Sequence, residues 1–398
     1  MLPTRRFGRT GLAMPVLSLG GMRFQQSWSD LPADDIQEES QVGLEELLRA
    51  AVAAGFHHIE TARGYGTSER QLGALLPHVP DGERILQTKV SPDPDPARFE
   101  AELTRSFERL AVERVDLLSL HGINTPELLE LALCPGGNLE VLQRWQAEGR
   151  IGHVGFSTHA PLPVILEAIA SDAFAYINLH WYFIRQDNSP ALEAALAHDM
   201  GVFLISPTDK GGHLHTPSER LVKLCAPHHP IVVNDLFCLS HPAVHTLSVG
   251  ASCAGDLELH LQAVALLEQA TNLLPPILER LERARLEALG APWLATWNQG
   301  LPPWPQTPGH INLPVLLWLH NLLVAWDMEG YCRDRYGLLG HGGHWFPGEN
   351  ADALDRDVSE AELLAVLEHS PWAQAIPDLL RDLQRRLGGE ARRRLQVS

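Results

Sequence analysis

Between residue 15 and about residue 265 the chain repeats one unit eight times: a short apolar run, then an amphipathic helix. The apolar runs are PVLSLG (15–20), HHIE (57–60), RILQTKV (84–90), VDLLSLH (115–121), IGHVGFS (151–157), FAYINLHW (174–181), VFLIS (202–206) and VHTLSVG (244–250). Continuously apolar strands separated by crossover helices describe a parallel sheet buried on both faces. Eight such units over this length match a closed (β/α)8 barrel. The rival is an open doubly wound sheet. That fold usually carries a glycine-rich phosphate loop after its first strand. Here SLGGMRFQQSW has only Gly20 and Gly21, without GxGxxG spacing, so the sequence predicts a TIM barrel. Ser68 and Gln71 have the spacing of a capping box at the head of the second helix.

Beyond residue 265 the character changes. This region holds Trp293, Trp297, Trp304, Trp318, Trp326, Trp345 and Trp372, a proline-rich stretch (301–310) and several helical patterns. The expected division is a barrel over 1–265 and a mostly α-helical C-terminal extension over 266–398. The extension either caps the barrel mouth or packs on its side. Tryptophans more often anchor packed surfaces than line substrate pockets. The longest apolar run, 311–326, is broken by Pro314, His320 and Asn321 and reads as a buried helix, not a membrane span. The formal net charge is −18, a poor basis for nucleic-acid binding, which needs basic patches. The run Arg392, Arg393, Arg394 reads as a solvated helix end. Five scattered cysteines without a CxxC argue for a reducing compartment and against a Cys-ligated cluster. With no signal peptide at the N-terminus, a cytoplasmic protein is expected, with no nucleic-acid or membrane partner.

Working residues of such a barrel stand at the C-terminal ends of its strands. Read in order, those ends offer Glu60 with Tyr65, Lys89, His121, Ser157 with His159, Asn178 with His180, and Ser206 to Lys210. A free phenol is a weak acid, and a neighbouring cation makes its phenolate accessible. Lys89 can supply that cation, a carboxylate can hold the lysine charged, and a histidine can orient a carbonyl oxygen. The four groups suit protonation of an alkoxide while a hydride arrives at carbon.

The segments RRFGRTGL, ETARGYGTSERQLG, QTK, LSLHG, GRIGHVGFSTH and SVGAS, in this order, resemble the aldo-keto reductases over roughly residues 3–265. The likeness is greatest to a bacterial branch whose second strand also reads ETARGYG. The resemblance implies reversible NADPH- or NADH-dependent reduction of a small carbonyl substrate. It implies Tyr65 as general acid, Lys89 as the partner lowering its pKa, His121 as the substrate-orienting group and Glu60 as the fourth member. Ser157 and Asn178 would hold the nicotinamide carboxamide. Ser206, Lys210, Gly250 and Asp256 would lie along the phosphates and adenosine.

Four departures stand out. Glu60 replaces the family's aspartate and is longer by about 1.5 Å. Ile205 stands where a tyrosine usually stacks on the nicotinamide. Asp256 falls near the position of the arginine that binds the 2′-phosphate of NADPH, where an acid is more compatible with a ribose hydroxyl. His260 falls near the adenine-side asparagine. Some relatives carry a ferredoxin-like cysteine cluster in the extension, but this one has only Cys332. Two other readings remain open. The histidines with Glu60 and Lys89 are also the spread of a metal-dependent barrel hydrolase. A barrel with altered cofactor contacts could instead serve as a binding or regulatory protein.

Overall fold

The computed structural model describes residues 2–79, 84–341, 346–356 and 358–389. Trp345 and the arginines 392–394 lie outside the described residues. The chain divides into two compact units. The first runs to Gly211 and includes Ile231–Thr271. The second takes Gly212–Pro230 and the chain from Asn272 onward.

The first unit is a closed barrel of parallel strands. A hairpin of β1 (Thr4–Arg6) and β2 (Ala13–Pro15) precedes it. The barrel strands are β3 (Leu17–Gly20), β4 (His58–Glu60), β5 (Ile85–Val90), β6 (Val115–His121), β7 (Ile151–Ser157), β8 (Tyr176–Leu179), β9 (Gly201–Leu204) and β10 (Thr246–Gly250). They pair in sequence order, and β10 returns to β3. All eight apolar runs are therefore barrel strands. The sequence did not reveal the hairpin. It closes the N-terminal end: Phe7 and Met14 are fully buried against Leu117, Tyr176 and Phe203. Gly8 makes this possible. Its φ is +51°, and an added Cβ would lie 2.3 Å from the Gly201 nitrogen. That end is plugged by side chains, so the polar groups at the C-terminal strand ends are the candidates for chemistry.

Three helices bear on the site: α1 (Glu38–Ala54), α2 (Ser68–Leu75) and α3 (Pro96–Leu110). The capping box expected at Ser68 and Gln71 does not form. Thr67 is the N-cap and makes no side-chain cap bond. The Ser68 hydroxyl donates instead to the Gly21 carbonyl at 2.9 Å, and Gln71 Oε1 accepts from Thr67 Oγ1 at 2.8 Å. Tertiary partners from the β3–α1 loop, the Gly21 carbonyl for Ser68 and the Gln26 N–H for Gln71 Oε1 at 2.8 Å, outcompeted the local motif. The sequence also missed a helix, Pro230–Ser240. Its start, PIVVND, is β-branched and weak in helix propensity. Tertiary bonds hold it: Asn234 Nδ2 donates to the Pro207 carbonyl at 3.2 Å, and Asp235 receives His260 Nδ1–H at 2.5 Å.

In the second unit, indoles join separate segments. Trp293 Nε1 donates to Asn321 Oδ1 at 2.6 Å, Trp326 Nε1 to the Leu281 carbonyl at 3.1 Å, and Trp372 Nε1 to Thr296 Oγ1 at 2.9 Å. The apolar run 311–326 is the helix Leu313–Trp326, buried along most of its length. Among the described residues no helix is long and apolar enough to cross a membrane.

Behind the barrel wall, Glu69 of α2 is fully buried. It accepts from Thr88 Oγ1 of β5 at 2.6 Å and from Ser106 of α3, and its Oε2 has no partner. Burial pushes its carboxyl up from 4.5 to about 7, against the lowering effect of the Ser106 and Thr88 hydroxyls. A raised carboxyl pKa means the folded state keeps its proton where the unfolded chain releases it. This contribution is therefore fully present below about pH 4.5 and is lost as pH rises towards 7. We expect Glu69→Gln to remove on the order of 3 kcal/mol of the stability lost between pH 4.5 and 8. Urea unfolding midpoints of both proteins at the two pH values measure this. An equal decline in the two would contradict the assignment.

Candidate active site

β4 ends at Glu60, and the chain turns through Thr61–Gly66 into α2. Glu60 pairs with Gln87 of β5 in register, and Lys89 stands two residues further along that strand. Period-2 alternation sends Gln87 and Lys89 to the same face of the sheet. The Lys89 ammonium contacts Glu60 Oε1 and donates to the Thr61 carbonyl at 2.9 Å. Both side chains are almost wholly buried, 2% and 3% exposed. Burial pulls the lysine pKa well down. The touching carboxylate acts in the opposite direction, because an adjacent opposite charge favours the ionised form. The longer glutamate thus still reaches the lysine.

The same ammonium lies 4.6 Å from the centre of the Tyr65 ring. The His121 imidazole meets that ring edge-on, 5.7 Å between centroids and 87° between planes. A third ring, Trp28, approaches at 6.3 Å and 84°. Glu60, Lys89, Tyr65 and His121, drawn from three adjacent strand ends, therefore form one group. Trp28 was not singled out in the sequence. The available signal was the length of the β3–α1 connection, far longer than the usual two to six residues of a βα loop.

Beside this group stand Ser157 and Asn178, paired across β7 and β8. Ser157 Oγ accepts the Gly122 N–H at 3.0 Å. Asn178 is fully buried, and its Oδ1 accepts from Gln87 Nε2 at 3.3 Å. Its Nδ2 has no acceptor. An unpaired buried amide donor costs about 1–3 kcal/mol, so this atom suits a ligand acceptor. A carboxamide fits the pair: its oxygen can take the Asn178 Nδ2–H, and its NH2 can donate to Ser157 Oγ.

His159 and His180 stack on each other, 4.4 Å between ring centroids. Their partners assign the proton positions. The Tyr182 hydroxyl donates to the Ile205 carbonyl, so it can only accept from His180 Nδ1, 2.6 Å away. In the neutral ring this leaves His180 Nε2 as acceptor for His159 Nδ1–H at 2.7 Å. His159 Nε2 then faces the Lys210 ammonium at 3.4 Å, and His180 Nε2 faces it at 3.3 Å. Lys210, 8% exposed, can thus donate to His159 Nε2, while the single lone pair of His180 Nε2 already takes the His159 Nδ1–H. Among the described residues no three His, Cys, Asp or Glu side chains come together as a metal-holding group.

Ser206 has a left-handed backbone, φ +54°. Gly250 ends β10, where an added Cβ would lie 3.1 Å from the Arg23 side chain. Asp256 faces its own loop: Oδ2 accepts from Ser252 N at 2.8 Å, Ser252 Oγ at 2.9 Å and Cys253 N at 3.3 Å. Burial alone would raise its carboxyl. The Ser252 and Cys253 donors, with the Arg23 charge, outweigh that and hold it below the usual carboxylate range. His260 is buried on Asp235, with Thr208 Oγ1 at 3.5 Å from its Nε2.

A model of the aldo/keto reductase family matches residues 16–269. The chain belongs to that family, as its barrel and the resemblance of its strand-end segments imply. A curated relative, D-threo-aldose 1-dehydrogenase from a Pseudomonas species, is 29% identical over 179 residues. That match covers 37% of this chain and 51% of the relative, so the chain spans about half the length of the curated relative. Among solved structures, a holo aldo-keto reductase from Bacillus halodurans aligns with a TM-score of 0.56 at 19% identity, over 69% of this chain and 97% of that one. An aldo-keto reductase from Klebsiella pneumoniae in complex with NADPH aligns at 0.54 and 19%, over 69% and 96%. At these identities the likeness shows the shared fold.

Removing one partner of a buried ion pair strands the other charge, at about 3–5 kcal/mol. Lys89→Met should therefore lose stability of that order, and Glu60→Gln added to it should recover most of the loss. Chemical denaturation of the single and double variants gives both numbers. Additive losses would show that the two side chains do not depend on each other.

Proposed function

We propose that the protein is an NAD(P)H-dependent oxidoreductase that interconverts a carbonyl and an alcohol, with Tyr65, Lys89, His121 and Glu60 as its catalytic residues. The observation that carries this reading is the buried Lys89 ammonium, touching Glu60 and facing the Tyr65 ring, with His121 edge-on to the same ring. The nicotinamide, when bound, would supply or take up the hydride.

The protein's own residues manage the proton. Tyr65 gives its phenolic proton to the substrate oxygen in reduction and recovers it in oxidation. The Lys89 charge lowers the cost of the phenolate. Glu60 keeps that lysine ionised in a site where burial opposes ionisation. His121 directs the carbonyl oxygen towards the phenol. Ser157 and Asn178 fit the carboxamide, with the unpartnered Nδ2 of Asn178 as the supporting atom. Ser206, Lys210 and Gly250 would lie along the phosphates. The barrel, 1–265, would carry this chemistry, and the helical extension, 266–398, would be a separate domain. The curated relative is named for an aldose, which makes a sugar hydroxyl or aldehyde the first substrate to try. Free cysteines and the acidic charge agree with a cytoplasmic enzyme of small molecules.

Asp256 bears on the choice of cofactor. Its carboxylate already satisfies the N–H groups at the head of the turn Ala254–Leu257. A 2′-phosphate there would meet a negative charge and donors in use. NADH is thus the favoured partner.

Tyr65→Phe should lower carbonyl reduction by about 10³-fold or more, within the usual range of a proton donor, and leave the cofactor Kd within about threefold. Turnover would be followed by NADH absorbance and binding by tryptophan fluorescence. Normal turnover of that variant would defeat the assignment. Binding of neither NADH nor NADPH would favour a binding or regulatory barrel instead. Titrations with both cofactors should show NADH binding at least as tightly as NADPH, and Asp256→Arg should reverse the order. Much tighter NADPH binding by the unmodified protein would remove Asp256 from the adenosine site.

A further inference from the structure

Lys89, His121 and Trp28 all meet the Tyr65 ring. Lys89 and His121 stand on barrel strands. Trp28 stands on the loop 21–37, between β3 and α1. The way this loop is held changes along its length. Its first part is fastened through backbone groups: Gln26 N–H donates to Gln71 Oε1 at 2.8 Å, and Thr67 N–H donates to the Ser27 carbonyl at 3.0 Å. Gly66 permits this approach. Its φ is +54°, and an added Cβ would lie 2.0 Å from the Ser27 oxygen. The Trp28 backbone faces Gly66 as closely, its Cα 2.7 Å from that added Cβ, and beyond Trp28 this fastening stops. From Trp28 to Ile36, among the described residues, the hydrogen bonds and ion pairs that reach the rest of the barrel all belong to Asp30.

Asp30 meets three guanidinium groups from three places. Arg109, at the end of α3, donates from Nε at 3.2 Å and also from Nη2. Arg70 of α2 donates at 3.3 Å, and Arg63, two residues before Tyr65, lies at 3.9 Å. Glu102 offsets one of the three, accepting from Arg63 Nε at 2.9 Å. The side chains of Asp30, Arg63, Arg70 and Arg109 are 12–29% exposed, while Asp30 as a residue is exposed, so the cluster lies partly covered at the protein surface. Burial would raise the Asp30 carboxyl, but the Arg109 bond and charge, with Arg63 and Arg70, hold it below its ordinary range. Without the carboxylate, Arg70 and Arg109 would lose their shared partner, while Arg63 would keep Glu102.

We propose that Asp30 is a positioning residue for Tyr65: gripped by Arg63, Arg70 and Arg109, it clasps the loop so that Trp28 braces the phenol ring. The proposal rests on the reading of Tyr65 as proton donor. It explains why a long, partly exposed loop sits at the reacting group: the clasp is electrostatic and releasable. Release would let the loop lift as substrate enters or product leaves, as lids do in other enzymes.

The test compares Asp30→Asn and Asp30→Glu with the unmodified full-length protein. Hydrogen exchange of the peptide covering 28–36 should accelerate about tenfold or more in Asp30→Asn. Nitration of Tyr65 by tetranitromethane, followed by peptide mass spectrometry, should rise about fivefold or more as the ring loses its brace. With benzaldehyde and NADH as probes, kcat/KM should fall about tenfold, mainly through kcat. Asp30→Glu should restore most of each property. Sodium chloride at about 0.5 M should weaken the unmodified protein towards the variant and leave Asp30→Asn unchanged. Unchanged exchange in 28–36 overturns the clasp. A loosened loop with unaltered Tyr65 nitration overturns the positioning role. Exchange and nitration need no turnover. Failure of benzaldehyde reduction by the unmodified protein therefore bears on the proposed activity, while those two measurements still decide the clasp.

Discussion

A buried ammonium touching a buried carboxylate is the constraint on which this site depends. Neither Lys89 nor Glu60 could stay charged alone at that depth, because desolvation of a lone ion costs several kcal/mol. Together they place a positive charge beside the Tyr65 ring where little water can screen it. Barrel register makes the pairing possible. Glu60 lies level with Gln87, so Lys89 stands two residues further along β5, on the same face. A one-residue slip would turn the lysine into the helical layer.

The polar groups around that pair are linked through the barrel interior. Gln87, below Lys89 on β5, donates to Ser119 Oγ at 3.0 Å and to Asn178 Oδ1, and Ser119 donates to the Tyr176 hydroxyl at 3.0 Å. His58 is joined to Ser18 at 2.7 Å, and Ser18 to Thr246 at 2.7 Å. Burial drives the His58 pKa down to about 3, so this ring stays neutral. The interior chain thus carries no second charge to compete with Lys89. Asn178 Nδ2, at the strand-end side of this chain, is left without an acceptor.

Much of this was legible because barrel strands announce themselves. Six of the eight apolar runs carry a polar residue at or next to their C-terminal end, where the candidate site lies. Tyr65, Lys89, His121 and Glu60 could be read as a group for that reason. Less legible was anything that depended on a partner distant in sequence. Ser68 and Gln71 had the spacing of a local cap, but loop 21–37 offered both side chains better partners. The helix Pro230–Ser240 looked unlike a helix because its β-branched start has low propensity. Three histidines stand at or beside strand ends. Two of them, His159 and His180, are tied to each other and to Lys210, while His121 meets Tyr65.

The order of apolar strands and helices determined the barrel, and the residues at the strand ends determined which chemical groups reach its mouth. Both follow from periodicity, which is a property of the chain alone. Tertiary structure decided how those groups are held. It brought the longer Glu60 onto Lys89, directed Asp256 to its own loop rather than outward, and fixed the proton positions of His180 through Tyr182 and the Ile205 carbonyl. It also gathered Arg63, Arg70 and Arg109 around Asp30. Distances between such residues depend on the closure of the barrel and the path of its loops, and no spacing along the sequence encodes them.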